Sequence, residues 1–418
     1  MEQQLNAEGS RRTDSIPGAD AGSTGGPARG LAQPLTAGIV TAVVGFSGSF
    51  AVVISGLRAV GADQHQAVSG LLALCTAMGL LAVGLSIRSR QPISIAWSTP
   101  GAALLVSTGR QPGGYSSAVG AFVVTGILLA ATGVWGRLGR WVTGIPAPLA
   151  SAMLAGVLLP VCLTPVRAAV TLPSLSLPAI VTWALLTPFA RRWATPAALV
   201  VALGTLAVLR HPHLGSFAQL VPTATPTSPT LSVGAVIGIA LPLYVVTMAA
   251  QNVPGIAVLN QFGFRPPTRP ILVSTGTATA LCAPFGGYAL NLAAISAALA
   301  AGPDAGPDPK RRWIASTTAG ITYLGLGLTA GVSTALLTAA PPLLIEAVAG
   351  LALLGTLGSS LAAAVADSEA REASMIAFAV TASGITVAGI GAAFWGLVAG
   401  LAFHSLPRLR RAPARPRA

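Results

Sequence analysis

Of the 418 residues only 8% are charged, 53% are hydrophobic, and the mean hydropathy is +0.73. A soluble protein of this length needs several times more charge to cover its surface, so a water-soluble domain is excluded. The formal net charge of +13 does not point to nucleic acid, because the basic residues stand in short clusters between apolar runs and read as topology signals.

In chain order, residues 1–30 contain Gly, Ser and Asp, lack an apolar h-region, and read as a disordered cytoplasmic tail rather than a signal peptide. Crossing a hydrocarbon core of about 30 Å takes roughly 20 apolar residues. Twelve stretches qualify: 35–57, 67–87, 115–135, 144–163, 175–190, 194–209, 231–252, 268–283, 313–337, 341–366, 373–390 and 391–406. Two more, 92–107 and 285–301, are apolar but short and interrupted by Gly or Pro, and are expected to be broken spans. Residues 407–418 form a basic cytoplasmic tail. Cys75, Cys162 and Cys282 lie inside apolar runs without pairing or ligand spacing, so no disulfide, metal or cofactor is expected.

With fourteen elements, both termini lie on one side and the loops alternate. One side receives Arg11, Arg12, Arg29, Arg88, Arg90, Arg137, Arg140, Arg191, Arg192, Arg265, Arg269, Lys310, Arg311, Arg312, Arg371, Arg408, Arg410, Arg411, Arg415 and Arg417. The other receives Arg58, Arg110, Arg167 and Arg210. This bias predicts cytoplasmic termini in an inner, plasma membrane. Dropping the two short segments would move the loops between them and collapse the bias.

The pattern also recurs after about 195 residues: 36 matches 231, 92 matches 285, and the pair 175–209 matches 373–406. Seven is odd, so the second copy must be inverted. The expected fold is an all-α polytopic membrane protein of fourteen elements in a seven-plus-seven inverted repeat. Elements 3 and 10 are broken and contain short extended segments, as transporters have.

The first broken element reads from Pro92 to Leu105. Ile93 to Trp97 alternate as an extended segment, Ser98 or Thr99 supplies an N-cap, and Pro100 suits the first helical turn. A helix starting in mid-membrane offers free N–H groups to an anion without a charged side chain; a plain Pro kink is the bland alternative. Gly286, Gly287, Tyr288 and Asn291 supply the same ingredients in the other half, and Gly101 follows the first helix start. The adjacent amides Gln251 and Asn252 lie within a span, where they serve function or glue helices together. Phe46 and Phe50 share a helix face beside Ser47 and Ser49, either as a binding wall or as core. Among eleven acidic residues only Glu346 falls inside an apolar run. It is the candidate proton-coupling carboxylate, the alternative being an interface residue reaching water. No Walker lysine motif, HExxH, paired intramembrane acids or Ser/His/Asp set occurs, so neither an enzyme nor an ATP-driven pump is expected.

The stretches PISIAWSTPGAALL (92–105), TMAAQNVPGIAVLNQFGFRPP (247–267), APFGGYALNLAAISAALAAGP (283–303) and ASGITVAGIGAAFWGLVAG (382–400) resemble the benzoate/proton symporter family, BenE type, and the likeness spans about 31–406. Its relatives include nucleobase and sulfate carriers. The resemblance implies a core domain at 31–136 and 231–338, and a gate domain at 137–230 and 339–406. The residues read above give the expected substrate site: Phe46, Ser47, Phe50, Trp97, Ser98, Thr99, Gly101, Gln251, Asn252, Gly286, Gly287, Tyr288 and Asn291. The resemblance further implies a small aromatic carboxylate and protons as partners within the lipid bilayer, with a homodimer left open. Nucleobase relatives carry acids in element 8 where Gln251 or its neighbour stands here, a departure that fits an anionic substrate. Carriage of another small anion or a nucleobase is the alternative within the fold. A non-transporting membrane sensor or scaffold is the alternative outside it, disfavoured by the cost of broken helices without a ligand.

Overall fold

The computed structural model describes residues 27–137, 144–210, 221–388 and 390–410. Most of both expected tails, and with them Arg11, Arg12, Arg140, Arg411, Arg415 and Arg417, lies outside the described residues.

The chain runs α1 (Pro27–Ser47), α2 (Phe50–Ala59), α3 (Gln64–Ser89), β1 (Ile95–Trp97), α4 (Thr99–Thr108), α5 (Gly114–Val134), α6 (Ala147–Thr171) and α7 (Pro173–Arg210). It continues through α8 (Val233–Gln261), α9 (Thr268–Cys282), β2 (Leu290–Leu292), α10 (Ile295–Ala301), α11 (Trp313–Leu328), α12 (Ala330–Thr338) and α13 (Pro342–Val365). It ends with α14 (Arg371–Ala382), β3 (Thr386–Val387), β4 (Ile390–Gly391) and α15 (Ala392–Arg410). By length and apolarity seven helices of the described residues can cross a membrane, and α11 with α12, bent by 60°, makes an eighth. The sequence reading expects fourteen elements. The difference falls on α4, α9, α10 and α14, which are short because the chain spends neighbouring residues on strands and turns, and on α15, whose apolar stretch covers only Ala392–Leu406. α7 is one run where two spans were expected, broken at Ala190 (φ −145°, ψ 53°) between Pro188 and Pro196.

Local chemistry sets these boundaries. Asp63 and Gln66 form a reciprocal capping box at the start of α3. α8 is widened by two π-helical turns, Val236–Ala240 and Met248–Asn252, and the second closes through the Val253 N–H on the Met248 carbonyl. Pro254, next in line, brings no N–H to the ladder.

Packing sorts the helices into two groups. α3 and α1 lie on α11, and α5 lies on α9; separately, α6 lies on α13 and α14, and α14 on α15. Membrane helices approach closely where side chains are small. In the first group, Gly79 of α3 meets the Gly320 carbonyl of α11, and Gly320 meets that of Gly79. Gly126 of α5 and Gly276 of α9 make the same reciprocal contact, and a Cβ on any of the four would collide with partner backbone.

Between these helices, β1 and β2 pair antiparallel with Ile95 opposite Leu292, Ala96 opposite Asn291 and Trp97 opposite Leu290. The ladder extends through Ser98 N–H to the Ala289 carbonyl (3.0 Å) and Ala293 N–H to the Ser94 carbonyl (2.9 Å). Two strand segments inside a membrane satisfy each other's backbone, which lipid would not. The hairpin of β3 and β4 was not anticipated; it pairs Thr386 with Gly391 and Val387 with Ile390.

Candidate functional site

A cavity of about 1080 Å³ lies between the two packing groups. Its walls come from α1 (Thr41, Gly45) and the turn after it (Ser49), the end of β1 and start of α4 (Trp97, Thr99, Pro100), α8 (Ala250, Gln251), and the start of α10 with the residues before it (Ala293, Ala294, Ser296). Tyr323 of α11 completes this side, and α6, α7 and α13 close the other with Ser151, Trp183 and Ala352. Among the described residues, Arg191 and Arg192 are the only charged groups on the lining, and no carboxylate faces it. The lining is buried at Trp97 and Tyr323 and exposed at Arg191, Arg192 and Ser359.

Trp97 is held from several directions. Its indole Nε1 donates to Ser49 Oγ at 2.9 Å, and that hydroxyl donates to the Gly45 carbonyl at 2.8 Å. Its ring tilts against Phe46 at 5.9 Å and meets Tyr323 edge-on at 6.4 Å, within the range of favourable aromatic pairs. Gly45 makes room for the Tyr323 hydroxyl, which a Cβ there would crowd at 2.5 Å. One face of the cavity is therefore a rigid aromatic wall.

The helix start at α4 forms as its residue types predict. Ser98 is the N-cap and its Oγ accepts from the Gly101 N–H at 3.1 Å, with Pro100 in the first turn. Ser98 Oγ also accepts from Thr247 Oγ1 at 3.0 Å, and its carbonyl accepts from Ala102 N–H and the Tyr288 hydroxyl. Fully enclosed, Ser98 positions α4, while Thr99 and Pro100 meet the cavity. At the second broken element, Ala293, Ala294 and Ser296 reach the cavity and no side chain caps α10. Among the described residues no group of His, Cys, Asp and Glu could hold a metal.

Comparison with known proteins settles the class. The profile described as benzoate membrane transport protein matches residues 31–406. The chain belongs to the benzoate membrane transport protein family. It is 39% identical over 368 residues to the inner membrane protein YdcO of Escherichia coli (strain K12), covering 88% of this chain and 93% of that one. To the benzoate membrane transport protein of Acinetobacter baylyi (strain ATCC 33305 / BD413 / ADP1) it is 29% identical over 367 residues, covering 87% and 92%. Its fold is similar to the transmembrane domain of a cyanobacterium bicarbonate transporter, BicA, with TM-score 0.58 at 15% identity, covering 89% of this chain and 98% of that one. The chain is accordingly a membrane transporter and not an enzyme.

Within this family member, the residues expected at the site divide by position. Trp97, Thr99 and Gln251 line the cavity, and the Gln251 amide has no hydrogen-bond partner among the described residues. Phe46 and Phe50, stacked at 5.0 Å, lie behind Trp97 as buried support. Ser47 turns inward to the Val43 carbonyl of its own helix (2.6 Å). Asn252 is buried, its Oδ1 accepting from the Leu292 N–H at 2.9 Å and its amide donating to Met248 Sδ at 3.4 Å, so it braces β2. Tyr288 packs on Phe122 at 6.1 Å beneath the cap of α4. Asn291 is fully buried and donates to the Leu292 carbonyl at 3.0 Å, with its Oδ1 unpartnered. Gly101 packs on Leu243 rather than facing the cavity.

One expectation needs correction. Gly286 and Gly287 do not open a helix beside the cavity. They close the 3-10 turn Ala283–Phe285 that follows α9, where the Gly287 N–H returns to the Cys282 carbonyl (2.9 Å) and Gly286 takes φ +95° against Gly70 and Tyr115. The second helix begins at Ile295 instead, after β2. Glu346 is not on the cavity lining; it sits half-buried in α13, its carbonyl accepting from Thr164 Oγ1 at 2.8 Å, within electrostatic reach of Arg167. Tyr323, Trp183, Ser296 and the Arg191–Arg192 pair were missed. Their only sequence signal was an aromatic or polar residue inside or beside an apolar run, a signal many packing residues share.

Proposed function

We propose that this chain is a secondary active transporter that carries benzoate or a similar small aromatic carboxylate across the bacterial inner membrane in symport with protons. One observation carries the reading: the cavity between the two helix groups joins an aromatic wall to polar and basic groups, and among the described residues presents no carboxylate to repel an anion. The benzoate ring packs on Trp97 and Tyr323. Its carboxylate meets the positive end of α4 at Thr99 and the amide of Gln251. The relative named for benzoate transport, similar over most of both chains, supports this substrate class.

Alternating access follows from moving a core domain (31–136 and 231–338) against a gate domain (137–230 and 339–406) around the cavity. The seven-plus-seven inverted repeat gains support from the glycine contacts. Gly79 and Gly276, and Gly126 and Gly320, hold matching places at nearly the offset seen in the segment spacing. The positive bias of the loops puts both termini, and the exposed mouth of the cavity at Arg191 and Arg192, in the cytoplasm. The proton route would pass Glu346 on the gate side rather than the cavity wall.

Uptake of radiolabelled benzoate into proteoliposomes, with and without an inward proton gradient, tests the reading. Saturable uptake stimulated by the gradient is expected. Absence of benzoate uptake, or uptake outcompeted by a neutral nucleobase, would overturn it.

A further inference from the structure

The arginines at the mouth do more than follow the loop charge bias. α7 breaks at Ala190, and both of its arms face the cavity, Trp183 and Thr187 before the bend and Thr195 and Pro196 after it. The break turns Arg191 and Arg192 onto the cavity's exposed end. Arg191 Nη2 lies close over α13, where a Cβ on Gly355 would come within 2.9 Å of it, so the missing side chain lets the guanidinium rest against that helix. Neither arginine has an ion-pair or hydrogen-bond partner among the described residues, and no acid on the lining offsets them. A concave surface lined by one sign of charge focuses its field and raises the local concentration of counter-ions.

We propose that Arg191 and Arg192 form an electrostatic collar that gathers organic carboxylates into the cavity from its exposed mouth and sets the preference for an anion over its neutral analogue. The proposal deepens the benzoate reading and rests on it. The guanidinium pair acts on the approaching anion at long range, before the ring reaches Trp97 and Tyr323 at the buried end. It therefore changes affinity and association rate without changing the step that turns the carrier over.

Equilibrium binding of radiolabelled benzoate to the purified full-length protein tests this, at about 10 mM and about 1 M salt, where the screening length falls from roughly 30 Å to 3 Å. The parent should bind about tenfold more weakly at the higher salt. The R191Q/R192Q variant should bind about tenfold more weakly than the parent at low salt and converge with it at high salt. R191K/R192K, which keeps the charge and the loop bias, should behave as the parent does. Radiolabelled benzamide, neutral and of the same shape, should bind all three alike. If R191Q/R192Q binds benzoate as the parent does at low salt, or stays weaker at high salt by the same factor, the collar is refuted while the benzoate reading stands. If the parent binds no benzoate, that reading fails first and the collar with it. Thermal unfolding of each variant identifies loss of fold, and rescue by the lysine pair distinguishes charge from structure.

Discussion

Replacing Gln251 by Glu puts a carboxylate on the cavity wall in place of an unpartnered amide. Two like charges 4 Å apart repel by roughly 4 kcal/mol at an effective dielectric near 20, and by about 1 kcal/mol in bulk water. The cavity is wide and open at one end, which places the site between these limits. At 1.4 kcal/mol per factor of ten, benzoate affinity at neutral pH should fall by between about 5-fold and several hundredfold. Lowering the pH toward the new group's own pKa should recover part of the loss, because the repulsion exists only while that carboxylate is ionised. Gln251→Met separates charge from hydrogen bonding: it removes the amide's bonds and adds no charge, so it should cost much less. The neighbouring residue supplies the contrast. Asn252→Ala leaves the buried Leu292 N–H without an acceptor, which costs about 1–3 kcal/mol of stability. That loss should appear in thermal unfolding, with the KM of the surviving folded protein near the parent value. Concentration-dependent uptake in proteoliposomes across a pH series measures all three variants. Parent-like KM for Gln251→Glu at neutral pH would show that the substrate carboxylate lies elsewhere, and the placement of the pocket would be wrong.

Ser98→Ala removes the cap on the Gly101 N–H and strands Thr247 Oγ1, so it should cost about 0.5–2 kcal/mol of stability and lower the unfolding temperature; an unchanged unfolding temperature would contradict the capping role. Trp97→Phe keeps an aromatic ring but loses the bond to Ser49, worth about 0.5–1.5 kcal/mol, and should raise KM up to about tenfold with little change in maximal rate. Glu346→Gln should preserve benzoate exchange and abolish gradient-driven accumulation; accumulation at the parent level would assign Glu346 to the interface between α6 and α13. A reporter active only in the cytoplasm should give signal when fused after Arg312 and none when fused in the loop at 210–230, and the reverse pattern would invert the topology.

The sequence by itself determined the class of molecule and much of its punctuation. Hydropathy and loop charge are sums over many residues, so they survive ignorance of the fold. The helix start at Ser98 is written in a local rule that needs only Ser98, Pro100 and Gly101. The extended segment before it was legible for the same reason, since the alternation of Ile93 to Trp97 is visible within five residues. What local pattern could not decide was direction and partnership. Gln251 and Asn252 are chemically alike and adjacent, and only the π-helical turn that carries them sends one to the cavity and the other to β2. Gly286 and Gly287 resembled an unwound helix start, yet Gly70 across the packed interface and the return of the chain onto Cys282 make them a helix end. Tyr323 joins Trp97 from more than two hundred residues away because small residues at Gly79, Gly320 and Gly45 let α11 come close. The arginines at the α7 bend were readable as loop charges, but which space they face depends on the break at Ala190 and on the packing of distant α13, whose Gly355 lies under Arg191. Local conformation follows from neighbouring residues, whereas a pocket is the volume that remains after long-range packing is complete.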